Sequence, residues 1–105
     1  MSIVNEKARQ LLEEACAAEN GRAAKLLVND GPLRQTVIAL KKGTTLQEHN
    51  SPPAASLFMF SGTIAVQGEE ESTIGEGQLV TFIHQRHAIA ALEDSVFLLT
   101  TVTGI

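Results

Sequence analysis

Three side chains in this 105-residue chain carry an imidazole: His49, His84 and His87. A free imidazole titrates near about 6.5, so each can exchange a proton close to neutrality or give a nitrogen to a metal ion. His49 heads the stretch "HNSPPAASLFMFSG", residues 49–62, in front of a proline turn, an apolar run and a glycine. His84 and His87 follow a second apolar run, "QLVTFI", three residues apart. Imidazoles that meet at one pocket can hold a ligand, ligate a metal, or act as a general base on an acidic carbon–hydrogen bond. Other chemistries lack their parts. Ser51, Ser56 and Ser61 have no nucleophile-elbow context, and no Asp is placed to orient a histidine base, which argues against a hydrolytic triad. The glycines of "GEGQ", residues 75–78, join strands and open no helix, so they cradle no phosphate. The single cysteine, Cys16, excludes an internal disulfide and a zinc–thiolate cluster.

What could position these residues is a set of short strands. From Gly21 onward, apolar and β-branched runs recur: "AAKLLV", "RQTVIAL", "TTLQEH", "ASLFMF", "TIAVQG", "STIGEG", "QLVTFI", "HAIAAL" and "SVFLLTTV". Turn residues bound each run, among them Asn29-Asp30-Gly31-Pro32, Lys42-Gly43, Ser51-Pro52-Pro53, Ser61-Gly62 and Glu93-Asp94. Such spacing predicts an all-β sandwich or barrel. The segment "GEEES" at 68–72 reads as a solvated acidic hairpin tip. Ahead of the strands, residues 5–19 place Ala8, Leu11, Leu12, Ala15 and Ala18 on one helical face, with Asn5 as the expected cap and Asn20-Gly21 as the stop. Cys16 flanks that face as a semi-buried, inert thiol. The expected organisation is one domain: a helix over residues 1–21 packed on a β-barrel over 22–105.

Composition narrows the partners. The apolar fraction is 44%, enough for an ordinary core, and with four Phe and no Trp or Tyr that core rests on Leu, Val, Ile and Ala. The net charge of −4, with Lys and Arg scattered, argues against nucleic acid and against an anionic membrane surface. The start "MSIVNEKARQ" reaches charge at its sixth residue, and no run approaches the roughly 20 apolar residues of a membrane span. The expectation is a cytoplasmic protein.

The spacing of the first glycine and histidine resembles the first motif of the cupin superfamily. Here Gly43 is followed after five residues by His49, then one residue on by Ser51, and the stretch closes at Gly62. Gly75, the strand "QLVTFI" and His87 are similar to the second motif, and "ALEDSVFLLTTV" to the last strand of small single-barrel cupins. The likeness spans about residues 33–102. It implies an antiparallel double-stranded β-helix, the jelly-roll or RmlC-like barrel, with a ligand set near one mouth made of two histidines, a glutamate and a third histidine. Such a nitrogen and oxygen set suits iron, manganese, nickel, copper or zinc. His49 and His87 stand at the first and last of those positions. Ser51 replaces the second histidine, and the glutamate position falls on Ala55, flanked by Ala54 and Ser56. The proline and glycine that usually precede the last histidine fall on Phe82 and His84. Two of four ligands are left, whereas catalytic metal sites generally keep three. His84 is the one candidate replacement.

With Ala55 on the inward face, alternation puts Leu57 and Met59 toward the barrel interior, as an adaptable apolar lining or a solid plug, and Phe58 and Phe60 outward. The outward rings need cover from the helix, another sheet layer or a second subunit, and a homodimer is the expectation. Arg34 and Arg86 could each bring a guanidinium near the mouth, although Arg86 turns outward beside His87. The reading that follows is a small-molecule-binding cupin with a degenerate metal site. His49, His87, Ser51, Leu57 and Met59 would line the pocket, without a tightly bound metal and without turnover. Two alternatives stay open. One is an oxygenase or isomerase that uses a divalent transition metal on His49, His84 and His87. The other is a structural or interaction domain whose barrel is filled by Leu57, Met59 and Ile89.

Overall fold

The computed structural model describes residues 4–47, 54–67, 71–82 and 88–102. One helix, α1 (Val4–Ala17), is followed by β1 (Arg22–Asp30), β2 (Leu33–Leu40), β3 (Thr45–Gln47), β4 (Ala54–Ser61), β5 (Thr63–Gln67), β6 (Ser72–Gly75), β7 (Leu79–Phe82), β8 (Ala88–Ala91) and β9 (Ser95–Val102). Each expected run contains one strand. The strands form a five-stranded sheet in the order β1-β2-β9-β4-β7 and a four-stranded sheet in the order β3-β8-β5-β6, with every pair antiparallel. Two such sheets face to face, with partners distant in sequence, make the jelly-roll sandwich. Among the described residues no helix is long and apolar enough to cross a membrane.

Strand alternation divides the apolar residues between two cores. On β2, Ile38 and Leu40 face the space between the sheets, while Val37 and Ala39 face the helix. The interior core also takes Leu57 and Met59 from β4, Phe97 from β9 and Ile89 from β8, all fully buried. The outer core joins Ala8, Leu11 and Ala15 of α1 to Val37, Ala39 and Val96.

The helix departs from the sequence reading at both ends. It already includes Val4, so Asn5 lies inside the first turn and is not its cap. It ends at Ala17, two residues before the expected limit at Glu19. There the chain turns: the Gly21 N–H donates to the Ala18 carbonyl at 3.1 Å, and Gly21 adopts φ +70°. A side chain at Gly21 would also run into the Thr44 hydroxyl, so the stop at Asn20-Gly21 needs glycine for two reasons.

Phe58 and Phe60 behave differently from a plain alternating pair. The register of β4 against β9 slips between Met59 and Ser61, which leaves Phe60 as the extra residue of a β-bulge. Phe60 packs on the outer core beneath α1, and its ring meets that of Phe58 edge-on, with centroids 5.3 Å apart. Of the covers proposed for the outward rings, the helix therefore serves Phe60.

Just past the bulge, Gly62 has φ +84° and lies against the turn that joins β8 to β9. A methyl group there would strike the Asp94 carbonyl and the Ser95 hydroxyl. The glycine that closes the first motif is thus explained by packing.

Candidate functional site

The described residues of the interior form an apolar floor. Among the described residues, Ser95 is the one buried polar side chain. Its hydroxyl donates to the carbonyls of Glu93 at 2.8 Å and Thr63 at 3.2 Å, which accounts for its burial and leaves no role in ligand capture. Leu57 and Met59 are both fully buried in the interior core, flanked by the half-buried Val80 and Leu99. Ile89 is buried with them. Complete burial of these three suits the floor of a pocket and the plug of a filled barrel alike. Any polar chemistry at the interior must come from its ends.

His49, Ser51, His84, His87 and Arg86 lie outside the described residues. The strands around them still locate the two stretches in which they fall. Residues 48–53 run from Gln47 at the end of β3 to Ala54 at the start of β4, and residues 83–87 run from Phe82 at the end of β7 to Ala88 at the start of β8. Gln47 and Ala88 are register partners in the four-stranded sheet. Ala55 and Phe82 are register partners in the five-stranded sheet. Each described residue pair thus joins strands that border one stretch to strands that border the other. The described strand ends that flank the two histidine-bearing stretches pair with one another, a juxtaposition that no local feature of the sequence encodes.

Three described positions share one row of register partners with Phe82. Ala55, at the glutamate position of the resemblance, shares the inward face of β4 with Leu57 and Met59 and pairs with Thr101 of β9. It supplies a methyl where a carboxylate would stand. Thr101 also pairs with Arg34 of β2. The Arg34 guanidinium folds back on its own hairpin: Nη1 donates to the Gly31 carbonyl and, at 3.0 Å, to the Leu33 carbonyl. Arg34 thus braces the β1–β2 turn at the rim.

Two further features escaped the sequence reading. Asp94, in the β8–β9 turn, accepts from the Lys42 N–H at 2.8 Å and from the Cys16 thiol at 3.7 Å. Cys16 is exposed, not semi-buried as the helical face suggested, and its pKa is raised above the ordinary thiol value by desolvation and by the Asp94 carboxylate. The direction of that shift disfavours the thiolate, the reactive form. The second feature is a cleft of about 380 Å³ beside β1, lined by Asn20, Arg22, Ala23, Ala24, Ile38 and Leu46. The signal available in the sequence was the small pair Ala23-Ala24 next to Arg22.

No protein-family model matches the chain, and no curated protein matches it either. Solved structures do. A conserved protein of unknown function from Streptococcus pyogenes is 28% identical, with a TM-score of 0.74 over 84% of this chain and 79% of that one. A cupin superfamily protein from Desulfitobacterium hafniense has a TM-score of 0.75 at 15% identity, over 83% and 82% of the two chains. A salicylate 1,2-dioxygenase from Pseudaminobacter salicylatoxidans has a TM-score of 0.78 at 18% identity; the match takes 92% of this chain but 33% of that larger one. The fold is that of a small cupin domain.

Proposed function

We propose that this cupin domain binds a small molecule in a pocket that includes His49 and His87, without turnover and without a tightly held metal. The observation that supports the reading is the pairing of Gln47 with Ala88 and of Ala55 with Phe82, described residues that border the two histidine-bearing stretches. The described interior supplies an apolar floor that includes Leu57 and Met59. Apolar walls with a few convergent polar groups are the usual make-up of a small-molecule pocket. In this reading His49 and His87 anchor the ligand by hydrogen bonds, Ser51 adds a hydroxyl, and Leu57 and Met59 shape the wall.

The donor set argues against a resident metal. A hydroxyl at Ser51 is a poor substitute for imidazole, and Ala55 offers no oxygen at all. If a metal were held, His49, His84 and His87 would be its ligands, and it would supply Lewis-acid or oxygen chemistry. Elemental analysis of protein made without a histidine tag separates the two cases. The expected result is a transition-metal content well below one per chain; stoichiometric metal would replace this reading with a metal-dependent enzyme. Native mass spectrometry of untreated protein then looks for a retained small molecule. The expected adduct is lost in a His49→Ala/His87→Ala double variant that keeps its far-ultraviolet dichroism, and an adduct that persists in that variant counts against the site.

A further inference from the structure

We propose that the cleft between β1 and β3 is a second binding site, one that takes a small apolar monocarboxylate and is lined by residues other than those of the proposed histidine pocket. Its volume of about 380 Å³ lies within the range of small-molecule pockets, about 300–1,000 Å³. The floor is made by Ile38 and Leu46, and the near wall by Ala23 and Ala24. Ile38 is 8% exposed and belongs to the interior core, while Leu46 packs against that core from β3. A floor fixed from behind in this way is preformed. The small side chain of Ala24 leaves room that a larger one would fill.

Arg22 and Asn20 are the polar residues of the lining, and among the described residues no carboxylate lines the cleft. Arg22 pairs with Leu40, which places it on the same inward-facing side of β1 as Ala24, the partner of Ile38. The Asn20 Oδ1 accepts from the Arg22 backbone N–H at 3.2 Å. The side-chain oxygen of Asn20 is thereby engaged, and what the amide has left to offer is its –NH2 donors. A planar guanidinium beside amide donors matches a carboxylate, and the apolar floor matches a hydrocarbon tail or a single ring. A fully hydrated anion such as phosphate would gain nothing from Ile38 and Leu46. The chain as a whole carries −4, so its long-range field repels anions and selection for one must come from this local pair.

The experiment is a titration of the full-length chain, carbon-13 labelled at the Ile and Leu methyls, with hexanoate and with its neutral counterpart hexanamide. Hexanoate should produce saturable shifts at Ile38 and Leu46, and hexanamide should bind about tenfold more weakly, as expected for a charge-assisted pair lost. Arg22→Gln, a change on an exposed strand position, should abolish the difference between the two compounds. Ala24→Leu should fill the cleft and remove the Leu46 shift, with amide dispersion reporting that the variant is folded. The His49→Ala/His87→Ala variant should bind hexanoate at the cleft as the parent does. Absence of saturation up to about 20 mM, a scale at which even a weak site is occupied, would overturn the proposal. So would equal affinity for the two compounds. Loss of the Ile38 and Leu46 shifts in the double-histidine variant would move the ligand to the histidine pocket, leaving the pocket reading intact and ending this one.

Discussion

The two cores of this small protein are built from the same strands by opposite choices of side chain. Between the sheets stand Phe97, Leu40, Leu57, Met59, Ile64 and Ile89, all fully buried and all large. Beneath the helix stand Ala8, Leu11 and Ala15 against Val37, Ala39 and Val96, and of these six buried residues only Leu11 is larger than valine. The contrast follows from layer spacing. Stacked sheets sit about 10 Å apart, so their inner faces need long side chains to meet. A helix can come closer when both surfaces are small, and Ala15 and Ala39, each with no exposed surface, mark that contact. The interior gains stability from volume, the helix seam from proximity.

If that contrast holds, truncation should hurt most between the sheets. Phe97→Ala is expected to cost about 3–5 kcal/mol in urea unfolding, against about 2 kcal/mol for Leu11→Ala at the more peripheral seam. Similar losses at the two sites would break the distinction. Enlargement should show the reverse order. Ala15→Leu, which adds bulk where helix and sheet touch, should cost about 1–3 kcal/mol, whereas Met59→Leu, which conserves volume inside the sandwich, should stay below about 1.5 kcal/mol.

The smallest expected effect lies where the two regions join. Cys16 at the end of α1 and Lys42 after β2 both contact Asp94. The raised pKa of Cys16 means that the folded protein keeps this proton at a pH where the unfolded chain has begun to lose it. Stability therefore declines slightly as pH climbs past the ordinary thiol range, and no such decline occurs below it. Alkylation by iodoacetamide should be slower than for a free thiol at the same pH, and faster in Asp94→Asn. An unchanged rate in that variant would remove Asp94 from the account.

Much of this architecture was legible in local sequence. "SVFLLTTV" coincides with β9, Ser95–Val102, because Glu93-Asp94 ends the run before it and β-branched residues fill it. Inward placement of Leu57 and Met59 followed from a period of two. The same period could not foresee the bulge at Phe60, since a bulge depends on how β4 meets β9 and not on β4 alone. Nor could a local pattern reveal Asp94 as the anchor of Cys16, 78 residues away. The helix stops at Ala17, before the end of the 5–19 pattern, because the turn closed by the Gly21 N–H on the Ala18 carbonyl takes up the residues that follow.

For the site the division is sharper. By itself the sequence determined which side chains are on offer: three imidazoles, a hydroxyl at Ser51, a methyl at Ala55, and alternating apolar strands to stand behind them. Those are properties of residue type and short spacing, which the chain carries wherever it goes. Only the tertiary structure decided that Gln47 pairs with Ala88 and Ala55 with Phe82, and that Arg22 lines a cleft with Ile38 and Leu46. Both depend on hydrogen-bonded pairing between strands far apart in sequence, and such pairing is settled by the fold as a whole.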